Sequence, residues 1–187
     1  SFDNKGLISH YPLSVEQADK IVQLCQTSQL IHKFDSATHI AWSDENERLR
    51  DFNAKTPNSI VDPLYYQSNP VYQCSVFFNN QFDKMQDIDF AQDDLKLVHW
   101  HHIGADILPA NASKARGIKD VCRYYGVDAT ECMAFGDGMN DADMLEYCHI
   151  GIAVGNAKEG LKAIADEVCD DIAEDGIYKT MKKYQLI

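Results

Sequence analysis

The chain has 187 residues, 45% of them hydrophobic and 25% charged, values that exclude a disordered or fibrous protein and suit one medium domain or two small ones. Lys and Arg number 17 against 29 Asp and Glu, a net charge of −12, and a field of that sign repels phosphate backbones, so nucleic acid is not an expected partner. No run approaches the ~18 apolar residues of a membrane span, and Ser1 to Gly6 carry no basic and apolar targeting pattern, so the expectation is a soluble, cytoplasmic chain without a membrane partner.

In chain order, Asn4 to Gly6 read as a turn followed by a short extended piece ending near Pro12. Ser14-Val15-Glu16-Gln17 has capping-box spacing, and Val15, Ala18, Ile21, Val22 and Cys25 keep helical period, which predicts a helix to about residue 26. Between there and residue 103 the pattern is α+β: strands over Ala37 to Trp42, Val71 to Phe78 and Leu95 to His102, with a charged helix from Asp44 to Phe52. After Gly104 strands alternate with helices. Ser113 caps a helix sharing Ile118, Val121, Cys122 and Tyr125 on one face, and Gly126 ends it. Cys132 to Phe135, His149 to Val154 and Glu167 to Cys169 read as strands, and Ala142 to Tyr147, Ala157 to Ala165 and Gly176 to Tyr184 as helices. That alternation predicts a parallel sheet with flanking helices, whose ligands sit at the carboxyl ends of the strands.

The six cysteines, Cys25, Cys74, Cys122, Cys132, Cys148 and Cys169, form no CxxC pair and mostly sit among apolar residues, which favours reduced core thiols. His99-Trp100-His101-His102 would place His99 and His101 on one face of a strand, but no partner has zinc-ligand spacing, and a plain strand is expected. Tyr65, Tyr66, Tyr72, Phe77 and Phe78 read as core rather than a base-stacking platform, and Glu45, Glu47, Arg48 and Arg50 as a solvated helix face.

The chemistry concentrates at residues 136–145, GDGMNDADML, directly after the apolar run Cys132 to Phe135. Gly136 and Gly138 permit a tight turn at a strand end, and Asp137 and Asp141, four apart, can converge on one hard cation. Mg²⁺ needs only one or two protein carboxylates when water and substrate oxygens complete its shell. An acidic protein that acts on phosphate needs such a local cation.

This loop resembles the fourth motif of the haloacid dehalogenase (HAD) superfamily. Together with ILPANASKARGI (107–118), IAVGNA (152–157), Ala165 to Val168 and Glu174 to Ile177, it makes the last eighty or so residues similar to the Cof-type sugar-phosphate phosphatases. The resemblance implies an α/β fold, the C-terminal portion of a Rossmann-like HAD core with an α+β cap domain. It divides the chain into residues 1–12, the remnant of the first half of the core, 13–103, the cap, and 104–187, the C-terminal half of the core. It further implies Mg²⁺ as cofactor, Asp137 as a direct metal ligand, Asp141 supporting the metal directly or through water, Asn140 holding the phosphoryl group or orienting the lysine, and Lys114 as the catalytic, substrate-binding cation. The implied reaction is Mg²⁺-dependent hydrolysis of a small phosphorylated metabolite, such as a sugar phosphate, through an aspartyl-phosphate.

The DxDGT segment that carries the family's nucleophile is absent from these residues. Asp87-Ile88-Asp89 is followed by Phe90-Ala91 and preceded by no apolar strand, so it reads as a loop of the cap. The expectation is a chain inactive by itself, whose open sheet edge is covered by the missing part of the core or by a second copy. Two other readings stand beside this one: a catalytically silent metal- or phosphate-binding regulatory module, and the phosphorylation domain of a P-type ATPase, which also carries a GDG-x-ND loop.

Overall fold

The structure is a computed structural model that describes all residues except 4–5, 46–56, 79–84 and 86, and only the backbone of 2, 3 and 101. The chain divides into two compact units, one formed by Tyr11–Ala112 and the other by Ser1–His10 with Ser113–Ile187. No helix among the described residues is long and apolar enough to cross a membrane.

In the unit Tyr11–Ala112, helix α1 (Val15–Thr27) starts as its capping box predicts. Ser14 Oγ accepts the Gln17 N–H at 3.1 Å, and Gln17 Oε1 accepts the Ser14 N–H at 3.0 Å, so two amides that a helix start leaves unpaired are satisfied reciprocally. Strands β3 (Ile31–Ser36), β4 (Ile40–Trp42), β5 (Ser59–Val61), β6 (Val71–Phe77), β7 (Leu95–His101) and β8 (Gly104–Pro109) build one sheet in the order β5-β4-β3-β6-β8-β7. All of its pairings are antiparallel except β4 with β5. Ala18, Ile21 and Cys25 of α1 pack into one core with Phe34, Val76 and Ile107, and each large aliphatic side chain buried there contributes about 1.5–3 kcal/mol. Of the aromatic cluster, Tyr65, Tyr66, Phe77 and Phe78 are buried, as core residues are.

Several expectations for this unit change. The strand predicted over 37–42 is confined to Ile40–Trp42, because the Ser36 hydroxyl accepts the N–H groups of Thr38 and His39 and turns the chain. The preceding segment Ile31–Ser36 is a strand whose alternation is hidden by polar residues, with His32 and Phe34 buried and Lys33 and Asp35 less so. The charged helix predicted over 44–52 falls largely outside the described residues, with Glu47, Arg48 and Arg50. A bulge between His99 and His101, which pair with Ala105 and Gly104, interrupts the simple alternation expected of the histidine run. Asp89 caps a 3₁₀ turn (Phe90–Asp93), its carboxylate accepting the Ala91 N–H at 3.1 Å.

In the other unit, β1 (Phe2–Asp3) and β2 (Gly6–Leu7) form a short antiparallel ribbon. Helix α2 (Lys114–Tyr125) runs from the Ser113 cap to Gly126, whose φ of 68° is the left-handed value that ends helices. Strands β9 (Met133–Gly136), β10 (Ile150–Ala153) and β11 (Glu167–Val168) form a parallel sheet in the order β11-β10-β9. Helices α3 (Ala142–Tyr147), α4 (Glu159–Lys162) and α5 (Gly176–Lys183) complete it, and Ala134, Leu145, Ala153, Val154 and Leu161 fill its core. The predicted parallel α/β pattern is thus present from β9 onward. The change of texture at Gly104 does not coincide with the boundary between units, because β8 hydrogen-bonds with β6 and β7 and joins their sheet.

Candidate active site at the end of β9

Strand β9 ends at Gly136, and the chain turns there into a 3₁₀ turn (Met139–Asp141) that leads into α3. Only glycine fits position 136: a Cβ would stand 2.7 Å from the Asp141 Cβ and 2.9 Å from Leu145 Cδ1. This close approach brings Asp141 back over the strand end. Its Oδ2 accepts the N–H groups of Asp137 at 3.0 Å and Gly138 at 3.1 Å, and its Oδ1 accepts the Lys114 ammonium. Asp141 is 2% exposed, whereas the Lys114 side chain is about half exposed. Burial alone would push the Asp141 carboxyl up, but the Lys114 ammonium and the two loop amides outweigh it and hold the carboxyl below the usual carboxylate range.

The lysine is placed from both ends of its helix start. Ser113 Oγ accepts the Arg116 N–H at 3.0 Å, and Asp143 Oδ2, from α3, accepts the Ala115 N–H at 3.1 Å. The carboxylates of Asp141 and Asp143 thus dock the first turn of α2 onto the start of α3, a placement the helix dipole favours. Asp143 is a positioning residue that sequence reasoning passed over; its i, i+2 spacing from Asp141 was the available signal. On the other side of the loop, the Asp137 carbonyl accepts the Lys158 N–H at 2.9 Å and the Gly136 carbonyl accepts the Val154 N–H at 3.0 Å. The IAVGNA segment is therefore hydrogen-bonded to the same turn.

Of the four predicted site residues, Lys114 and Asp141 form an ion pair, and Asp137 is joined to Asp141 through its main-chain N–H. The Asp137 side chain is exposed and has no hydrogen-bond or ion-pair partner among the described residues. Asn140 is exposed too, with its Oδ1 2.5 Å from where a Gly138 Cβ would stand. The Lys114 ammonium pairs with Asp141. Among the described residues no three His, Cys, Asp or Glu side chains gather into a metal cage. The exposed Asp137 carboxylate and exposed Asn140 amide oxygen, both on this turn, are nevertheless hard donors of the kind that suits Mg²⁺, which keeps several waters.

Residues 1–181 match the haloacid dehalogenase-like hydrolases. The chain belongs to that family. Phosphatase YwpJ of Bacillus subtilis is 36% identical over a stretch covering 74% of this chain and 56% of that protein. Among solved structures, the HAD subclass IIB sugar phosphatase BT4131 superposes with a TM-score of 0.80 at 27% identity, covering 100% of this chain and 72% of that one. BT1666 from Bacteroides thetaiotaomicron, described with the phosphatases of the HAD superfamily, gives 0.84 at 25% identity over 100% and 70%. This HAD chain has the Rossmann-like α/β fold of those proteins, and it spans about half the length of the curated phosphatases it matches.

Proposed function

We propose that the chain forms part of a HAD phosphatase that hydrolyses a small phosphomonoester, such as a sugar phosphate, with Mg²⁺ bound at Asp137. The observation that carries this reading is the Lys114–Asp141 ion pair closed over the amides of the GDGMND turn. Phosphoryl transfer depends chiefly on positioning and charge neutralisation. Asp141 aims the Lys114 ammonium toward the end of β9, where it offsets charge on the phosphoryl oxygens, and the exposed Asn140 amide donates a further hydrogen bond to them. Asp141 keeps a supporting part in metal binding, directly or through water. Asp137 would hold Mg²⁺, which would supply Lewis-acid stabilisation to the phosphoryl group when bound. Its charge is also needed locally, since Asp137, Asp141 and Asp143 all belong to this turn and the start of α3.

The unit Tyr11–Ala112, with residues 13–103 at its heart, serves in this reading as the cap that sets substrate choice, and residues 113–187 as core. The nucleophilic Asp belongs to a segment outside these 187 residues. That segment, rather than a second copy, covers the free side of β9, in keeping with solved relatives whose chains extend beyond the region matched here. The enzyme works on a cytoplasmic metabolite.

The test is hydrolysis of p-nitrophenyl phosphate with Mg²⁺. The 187-residue chain is expected to turn over no faster than buffer, and the full-length gene product to be active. Asp137→Ala and Lys114→Met in that full-length protein should each lower kcat at least 100-fold. Turnover by the 187-residue chain alone overturns the placement of the nucleophile, and undiminished activity in either variant overturns the assigned roles. A full-length protein that binds Mg²⁺ yet never turns over would instead support a silent regulatory module.

A further inference from the structure

Three cysteines of the unit that carries the loop lie close together without any part in the proposed chemistry. Cys122 sits on α2, Cys132 at the entry to β9, and Cys148 at the end of α3. All are free thiols; Cys122 and Cys148 are buried and Cys132 is half-buried. Cys122 Sγ and Cys132 Sγ stand 3.3 Å apart, and Cys132 Sγ lies 3.5 Å from the Asp128 carbonyl oxygen. Two sulfurs that close need to approach by only a little over 1 Å to reach the ~2.05 Å of a disulfide bond. The residues lie ten apart, so the closed loop is short.

We propose that Cys122 and Cys132 form a peroxide-oxidisable dithiol whose disulfide fastens α2 to β9. The near-complete burial of Cys122 selects a small, neutral oxidant, hydrogen peroxide, over a bulky disulfide such as oxidised glutathione. The Cys122 sulfur attacks one peroxide oxygen. An S–O bond forms, the O–O bond breaks, and the second oxygen leaves as water with the thiol proton. The Cys132 sulfur then attacks the sulfenic sulfur of Cys122. The S–S bond forms, the S–O bond breaks, and the hydroxyl leaves with the Cys132 proton as a second water. The two thiols together lose two electrons, and one peroxide is reduced to two waters.

The neighbouring Cys122 and burial push the Cys132 thiol up to about 11, which keeps Cys132 protonated and reduced until an oxidant arrives. Cys148 is the competing resolving thiol, and burial raises it as well. The link would form eight residues beyond Lys114, roughly 12 Å along the helix. It stiffens the α2–β9 contact at the end of the helix away from the ion pair.

The experiment treats the purified 187-residue chain with hydrogen peroxide, digests it without reduction and maps the linked peptides by mass spectrometry. The expected product joins the Cys122 and Cys132 peptides with loss of two hydrogens, reverts with dithiothreitol, and raises the thermal midpoint by several degrees. Cys132→Ser and Cys122→Ser should both lack it, while Cys148→Ser should retain it. Oxidised glutathione should form it much more slowly than peroxide. A Cys122–Cys148 link, oxidation of these sulfurs only to sulfinic or sulfonic acids, or no reaction at Cys122 and Cys132 while Cys169 oxidises would overturn the proposal. The readout is independent of phosphatase activity.

Discussion

Lys114 and Asp141, 27 positions apart, close an ion pair whose acidic partner is almost fully buried and also accepts two main-chain amides of the Asp137–Gly138 turn. One carboxylate therefore does two tasks: it fixes the loop backbone and it aims the ammonium.

Asp141→Asn tests both tasks. The amide keeps the shape but can accept only through one oxygen, and its NH₂ group faces either Lys114 or the loop amides. A buried donor then opposes another donor, which should cost about 2 kcal/mol. Urea unfolding followed by circular dichroism should register it as a lowered midpoint at unchanged slope.

The same residue sets a pH dependence. Its carboxyl is held below the usual range in the folded chain, so in acid the unfolded chain binds this proton first and stability falls as pH drops. The contribution is complete above the ordinary Asp value of about 4 and disappears as pH falls through the lower folded value. The stability gap between the native chain and Asp141→Asn should therefore be widest near pH 6 and narrow below pH 4. A gap that widens in acid would contradict the assignment.

Gly136→Ala should be more damaging than its size suggests. The added methyl would stand within 2.9 Å of atoms of Asp141 and Leu145, so the turn must shift away from β9. A loss of about 1–3 kcal/mol is expected from the overpacking. Mg²⁺ binding by calorimetry should weaken along with it, because the turn that presents Asp137 moves.

His32 makes the opposite case. Both ring nitrogens are buried and make no well-formed hydrogen bond among the described residues, the Cys25 thiol being their polar neighbour, and the ring packs edge-on to Phe34 with centroids 5.7 Å apart. Leaving such groups unpaired is costly, and replacing them with apolar atoms of similar shape is not. His32→Phe should raise the unfolding free energy by about 1 kcal/mol, helped by the cavity of about 310 Å³ that His32 and Cys25 line.

Elements marked by chemistry local to the chain were legible in advance. Ser14 with Gln17, Ser113 with Gly126 and the helix Ala142–Tyr147 stand where their caps, turn residues and periodicity put them. Elements defined by partners far along the chain were not. Ile31–Ser36 carries His32, Lys33 and Asp35, and only pairing with β4 and β6 makes it a strand. Gly104–Pro109 reads as the opening of the α/β half, yet its hydrogen bonds go to β6 and β7. The bulge in the histidine run is equally silent until the register with Ala105 and Gly104 is known.

From the order of its residues alone, this protein's α/β character, its family resemblance and the acidic Gly-rich turn followed directly, because caps, glycine turns and hydrophobic period act over a few neighbouring residues. Tertiary structure decided which groups meet. It set Asp141 against Lys114, gave Asp143 the first turn of α2 to hold, and put Cys122 beside Cys132. The reason is that such contacts depend on how strand ends and helix starts pack, and packing distances of an ångström or two are not encoded in spacing along the chain.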